Sequence, residues 1–146
     1  MSDSLRSVLR VREQTLAARQ SDLAEALQAD AILRSQQDER TAARATATAD
    51  AAARTRRGPV DVAAVSARLL YAGQMQAQTA AIDQQRAIVA DEIATRRQAV
   101  AAADADVKAI ETLLEKRAAE AKRTARRREQ IVLEDRSRTI ADLDLS

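Results

Sequence analysis

The residues able to do chemistry in this chain are almost all charged. The 146 residues include no His and no Cys. That leaves no imidazole for proton transfer, no thiol nucleophile and none of the usual soft metal ligands. Carboxylates do occur in close pairs, as Asp91-Glu92 and Asp104/Asp106. Paired carboxylates perform acid–base work only where burial or a neighbour drives their pKa values apart. These pairs fall on exposed helix surface, with no pocket to shift them. With only two Gly in the chain, no glycine-rich loop is available to cradle a phosphate. The residues therefore point to a protein that is not an enzyme, with no cofactor, no metal site and no small-molecule substrate.

Lys116, Arg117, Lys122, Arg123, Arg126, Arg127 and Arg128 form a basic segment. Such a run can neutralise the phosphates of nucleic acid. It lacks the interleaved aromatics that stack on bases, and Glu115, Glu120 and Glu129 are mixed into it. An acidic protein partner or a solvated face suits it better than nucleic acid or an anionic lipid surface. Formal net charge is only +2.

The elements that position these charges are helical. There is one aromatic residue, Tyr71, and Ala supplies most of the apolar count. Ala with Arg, Glu, Gln and Asp is the composition of long helices and coiled coils. From Thr79 to Thr124 the chain reads in sevens. One register holds Thr79, Arg86, Ile93, Val100, Val107, Leu114 and Ala121. The other holds Ile82, Val89, Arg96, Ala103, Ile110, Arg117 and Thr124. Alternation by 3 and 4 is the a/d pattern of a heptad, and a narrow apolar seam needs a second helix against it.

That second helix precedes it. Ser2, Asp3 and Ser4 are candidate N-caps, and Leu5, Leu9, Leu16, Leu23, Leu27 and Leu33 form a seam. The Ala-, Thr- and Arg-rich run from Thr41 to Thr55 contains no breaker and extends the helix. Gly58-Pro59 is the single strong break: Gly58 suits a left-handed C′ position, and Pro59 cannot continue the helix. Asp61 then caps the next helix, with Val60 and Val65 at staple spacing. The chain is expected to be all-α, one antiparallel coiled-coil hairpin over residues 1–146. Helix 1 spans about 5–56, the turn 57–61, and helix 2 about 62–140.

Folding the hairpin at Gly58-Pro59 pairs residues whose numbers sum to about 117. Leu9 meets Val107 and Ile110, Leu16 meets Val100, Leu23 meets Ile93, and Leu27 meets Val89. The second helix then overhangs the first by roughly 40 Å, at ~1.5 Å per residue. The seam turns polar at that point, with Arg117, Thr124 and Arg128 on core positions, before Ile131-Val132-Leu133 forms an apolar tip. Apolar residues without an internal partner mark contacts with another protein; a frayed end resting on Leu5 is the alternative. No apolar run is long enough to span a bilayer, and no signal-peptide core is present, so a cytoplasmic protein is expected.

Four segments, in order, resemble the FliJ family of bacterial flagellar type III export proteins. Leu5-Arg-Ser-Val-Leu-Arg-Val-Arg-Glu13 is similar to the family's opening, and Tyr71-Ala-Gly-Gln-Met-Gln-Ala-Gln-Thr-Ala-Ala-Ile82 to its Tyr-led stretch. The run from Arg97 to Lys116 resembles the family's Glu- and Leu-rich run ending in Glu-Lys. Arg128-Glu-Gln-Ile-Val-Leu-Glu-Asp135 resembles its closing signature, with the acidic pair reversed. The resemblance implies a slender coiled coil similar to the stalk of rotary ATPases. It implies three partners: the flagellar export ATPase hexamer, an export gate membrane protein, and export chaperones that the stalk escorts. It places the protein in the cytoplasm, peripheral at the inner face of the cell membrane.

The resemblance also assigns surfaces. The ATPase-facing tip would comprise Arg117, Lys122, Arg126, Arg127, Glu129, Gln130, Ile131, Val132, Leu133, Glu134 and Asp135. The gate and chaperone face would comprise Tyr71, Gln74, Gln78, Ala81 and Gln85, spaced 3, 4, 3, 4 on one side of the helix. Gln74 and Gln78 are more polar than the family pattern there. A stalk of a virulence type III secretion system, a generic coiled-coil scaffold, and a nucleic-acid-binding helix pair are the competing readings.

Overall fold

A computed structural model describes residues 2–145. Two α-helices account for the secondary structure: α1, Ser2–Arg56, and α2, Val62–Asp144. The fold is all-α, with the two helices packed against each other as the heptads require. Both helices run past their expected outer ends, α1 starting at Ser2 and α2 reaching Asp144. No Gly or Pro stands in either extension, and Asp3 in the first turn of α1 complements the positive end of the helix dipole.

The break falls where the sequence puts it. Gly58 has φ +100°, a left-handed conformation that costs a β-carbon-bearing residue energy. The Asp61 side chain accepts a hydrogen bond from the Ala64 amide at 3.3 Å, and its carbonyl accepts from the Val65 amide at 3.1 Å. Asp61 is thus the N-cap of α2.

Contacts sort the chain into two compact units, Ala17–Ala101 and Met1–Leu16 with Ala102–Ser146. Within Ala17–Ala101 the helices run antiparallel about the turn. Ala26, Ala47 and Ala51 of α1 and Ala72 and Ile82 of α2 are its buried residues. Small side chains at the seam let two backbones come close. On α2 the half-buried and buried positions of this unit are Ala64, Val65, Ala72, Met75, Thr79, Ile82, Arg86, Val89, Ile93, Arg96, Ala99 and Val100. From Thr79 on, every expected position of the 3/4 alternation is among them, and Ala99 is the one addition. On α1 the pattern differs at one point: Leu27 is exposed and Ala26 takes the seam. The seam there runs Ala26, Asp30, Leu33, Gln37, Arg40. The 3/4 rhythm, rather than side-chain size, decides which residues face the partner.

In the second unit, Ala103 and Val107 are buried, and Leu5, Leu9, Leu16, Ile110 and Leu114 are half-buried. Arg12 and Asp106 approach across the helices at 3.9 Å. Every described residue from Glu115 to Leu145 is exposed. At ~1.5 Å per residue, α2 continues past its last half-buried residue for about 45 Å. The pairing arithmetic also holds in each unit. Arg12–Asp106, Arg40–Gln78 and Asp50–Arg68 have numbers summing to about 118, one more than expected.

Candidate partner-binding site

All eleven residues of the expected tip, Arg117 to Asp135, lie on one uninterrupted helix and are exposed. Exposure alone does not make them one surface. Residues i and i+1 on a helix point about 100° apart, so Ile131, Val132 and Leu133 face three directions. Val132 and Leu133 share a shallow groove with Arg128 and Glu129. Val132 also lines the next groove along with Asp135, Arg136, Thr139 and Ile140. Leu133 lines a third with Gln130, Glu134, Ser137 and Arg138. Ile131, 56% exposed, touches none of these grooves. The apolar triplet thus resolves into a Val132 face and a Leu133 face.

Ile140 belongs to the Val132 face and was not among the residues picked out from sequence. It stands eight residues after Val132, two helical turns and a little more, and that spacing was the available signal. None of the charged side chains after Glu115 forms an ion pair among the described residues. The basic segment Lys116–Arg128 therefore presents its charge to solvent, as a surface for an acidic partner requires.

The second expected surface lies in the Ala17–Ala101 unit. Tyr71 is 43% exposed, and Gln74, Gln78, Ala81 and Gln85 are exposed on the same side of α2. Gln78 is not wholly available to a partner, because its Oε1 accepts a hydrogen bond from Arg40 Nε at 2.7 Å. The face gains apolar area from two residues the motif did not include. Leu70 and Ile88, 66% and 70% exposed, share a helix side with Ala81. They supply the hydrophobic content that Gln74 and Gln78 lack.

A third cluster was invisible in the α1 sequence. Arg86 donates from Nε to Asp30 Oδ1 at 3.0 Å and from a terminal nitrogen to Asp30 Oδ2 at 3.4 Å, a two-pronged pair. It also donates to Gln37 Oε1 at 3.0 Å, and Gln37 in turn donates to Asp83. The hydrogen bond from Arg86 holds the Asp30 carboxyl below its ordinary range, against a smaller opposing effect of desolvation. The same bond raises Arg86. Near one end of this unit, Arg96 donates to Glu92 at 2.8 Å and to the Asp22 backbone carbonyl, and lies 3.9 Å from Glu25. The bond to Glu92 is the largest reason its guanidinium is raised. Both clusters bridge α1 and α2, which fixes register. Their charges are spent within the hairpin.

No group of three or more carboxylates capable of holding a metal occurs among the described residues. No described helix is long and apolar enough to cross a membrane. Comparison with protein families, with curated proteins and with solved structures returns no match.

Proposed function

We propose that the protein is a non-enzymatic stalk of the bacterial flagellar type III export apparatus. In this reading the α2 overhang contacts the export ATPase hexamer. The Tyr71 face, widened by Leu70 and Ile88, contacts the membrane export gate and emptied export chaperones. Placement at the inner face of the cell membrane comes through the gate partner. The observation that carries the reading is the exposed extension from Glu115 to Leu145, basic from Lys116 to Arg128 and carrying apolar side chains beyond. It is the segment in which the resemblance places the ATPase contact. Positive charge gives a helix a fast approach to an acidic ring, and apolar side chains slow its departure.

Deletion of residues 117–146 tests the reading. The seam residues from Leu5 to Leu114 remain, so helical content per residue and melting should stay close to those of the full chain. Pull-down of the export ATPase, and any stimulation of its turnover, should be lost. A truncated chain that binds and stimulates like the full one would remove the tip from the mechanism. The Tyr71 face would then be the better candidate for that contact.

A further inference from the structure

We propose that the α2 overhang pairs antiparallel with the same segment of a second copy of this chain. On a straight helix, Ala118, Ala121, Ala125, Val132 and Leu143 fall within about 60°, with Ile140 on the edge of that stripe away from Ala121. Val132 is 50% exposed and Ile140 61%. The two grooves that share Val132 run along this stripe. Residues 117–144 span about four heptads, enough length for a coiled-coil seam.

Charge selects the occupant and its direction. Residues 116–128 carry seven basic side chains and one acidic one, Glu120. Residues 129–144 carry five acidic side chains and two basic ones, Arg136 and Arg138. The overhang is basic at its root and acidic at its end. A second copy laid parallel sets like charge on like; laid antiparallel it sets root against end.

The antiparallel register can be stated by residue. A two-fold axis near Gln130-Ile131 brings Ala118 opposite Leu143 of the copy. Small against large is the arrangement that lets knobs enter holes. Arg117, Arg128, Asp135 and Asp142 all lie on one flank of the stripe. In an antiparallel pair the same flanks meet. Arg128 then faces Asp135 of the copy and Arg117 faces its Asp142, each contact occurring twice by symmetry. On the stripe itself, Arg136 passes beside Glu129 of the copy. One segment thus supplies both halves of every pair, as a self-complementary interface must. The proposal does not rest on the export reading, and its test involves no ATPase.

Sedimentation of the full chain over a range of concentration and salt measures it. A reversible monomer–dimer equilibrium is expected, weakening as salt rises. Two charge-reversed full-length variants give the decisive result. Arg117→Glu/Arg128→Glu and Asp135→Arg/Asp142→Arg each set like charges together, and each alone should dimerise about tenfold more weakly or worse. Mixed, they should form a heterodimer at wild-type strength, because every flank pair is then opposite in sign. Ile140→Asp should also give monomer, with helical content unchanged by circular dichroism because the residue is exposed. A chain that stays monomeric to millimolar concentration overturns the proposal. So does a dimer indifferent to these substitutions, or a mixture no tighter than its components.

Discussion

Arg96 and Arg117 stand at the same heptad position of α2, three heptads apart. Arg96 is half-buried, bonded to Glu92 and to the backbone of Asp22. Arg117 is exposed, and no ion pair among the described residues engages it. The residue type and the phase are the same; the surroundings are not. From Ala72 to Leu114 the α2 register lies against α1. From Glu115 on, the same register faces solvent. A heptad position is therefore a direction on a helix, and its energy depends on whether a helix lies in that direction. Substitutions at matched positions on the two stretches should separate sharply.

The largest effect belongs to the paired stretch. Ile82 is 6% exposed. Ile82→Asp sets a charge against α1 with no partner and should cost about 3 kcal/mol or more, read as a collapse of the thermal transition. At concentrations where the chain is monomeric, a charge at Val132 should leave the transition where it is, since that side chain is already half in water. Equal losses at the two sites would erase the distinction between the stretches.

Next comes the spacing of the helices. Ala47 and Ala51 are 4% and 3% exposed. Ala51→Leu should overfill the seam and cost about 1–3 kcal/mol in chemical denaturation. The same change at Ala121 adds a leucine to an exposed face and should cost nothing measurable. A stabilised Ala51→Leu would mean that the helices sit further apart than described.

A smaller effect comes from pH. Asp30 is held below its ordinary range by Arg86. Its carboxylate therefore adds stability above the unfolded-state value, about pH 4. That contribution is lost as pH falls through the lower folded value. Between neutral pH and about pH 5 the pair should contribute a constant amount. In stronger acid the wild type should lose melting temperature faster than Asp30→Asn, which has no charge to lose. Parallel acid curves for the two proteins would leave the Arg86 pair without a role in stability.

Much of this fold was legible in the residues. The Gly58-Pro59 break and the α2 register required only glycine, proline and heptad rules, and both stand as expected. The α1 register was less legible because its reading followed leucines. Leu27 is 42% exposed, while Ala26, Asp30 and Gln37 hold the seam. Asp30 reads as a surface residue until Arg86 is placed opposite it, and that needs three dimensions. The candidate surfaces were legible only as stretches. Which of Ile131, Val132 and Leu133 share a face follows from helix angle, and Ile140 joins Val132 by a spacing that a run of adjacent apolar letters conceals.

The smallest expected effect is the most direct measure of the comparison. Arg96→Ala removes the bonds to Glu92 and to the Asp22 carbonyl and leaves that carbonyl to find water at a half-buried seam; the melting temperature should fall. Arg117→Ala removes a side chain that no ion pair engages, and replaces it with the better helix former. At concentrations where the chain is monomeric, its stability should stay within about 0.5 kcal/mol of wild type, as for other surface changes. Because the two substitutions share chemistry, helix and heptad position, propensity cancels between them. What remains is the presence of α1. If Arg117→Ala destabilises as much as Arg96→Ala does, some part of the protein lies against the overhang, and residues 115–145 are not the open surface on which both the tip and the self-pairing depend.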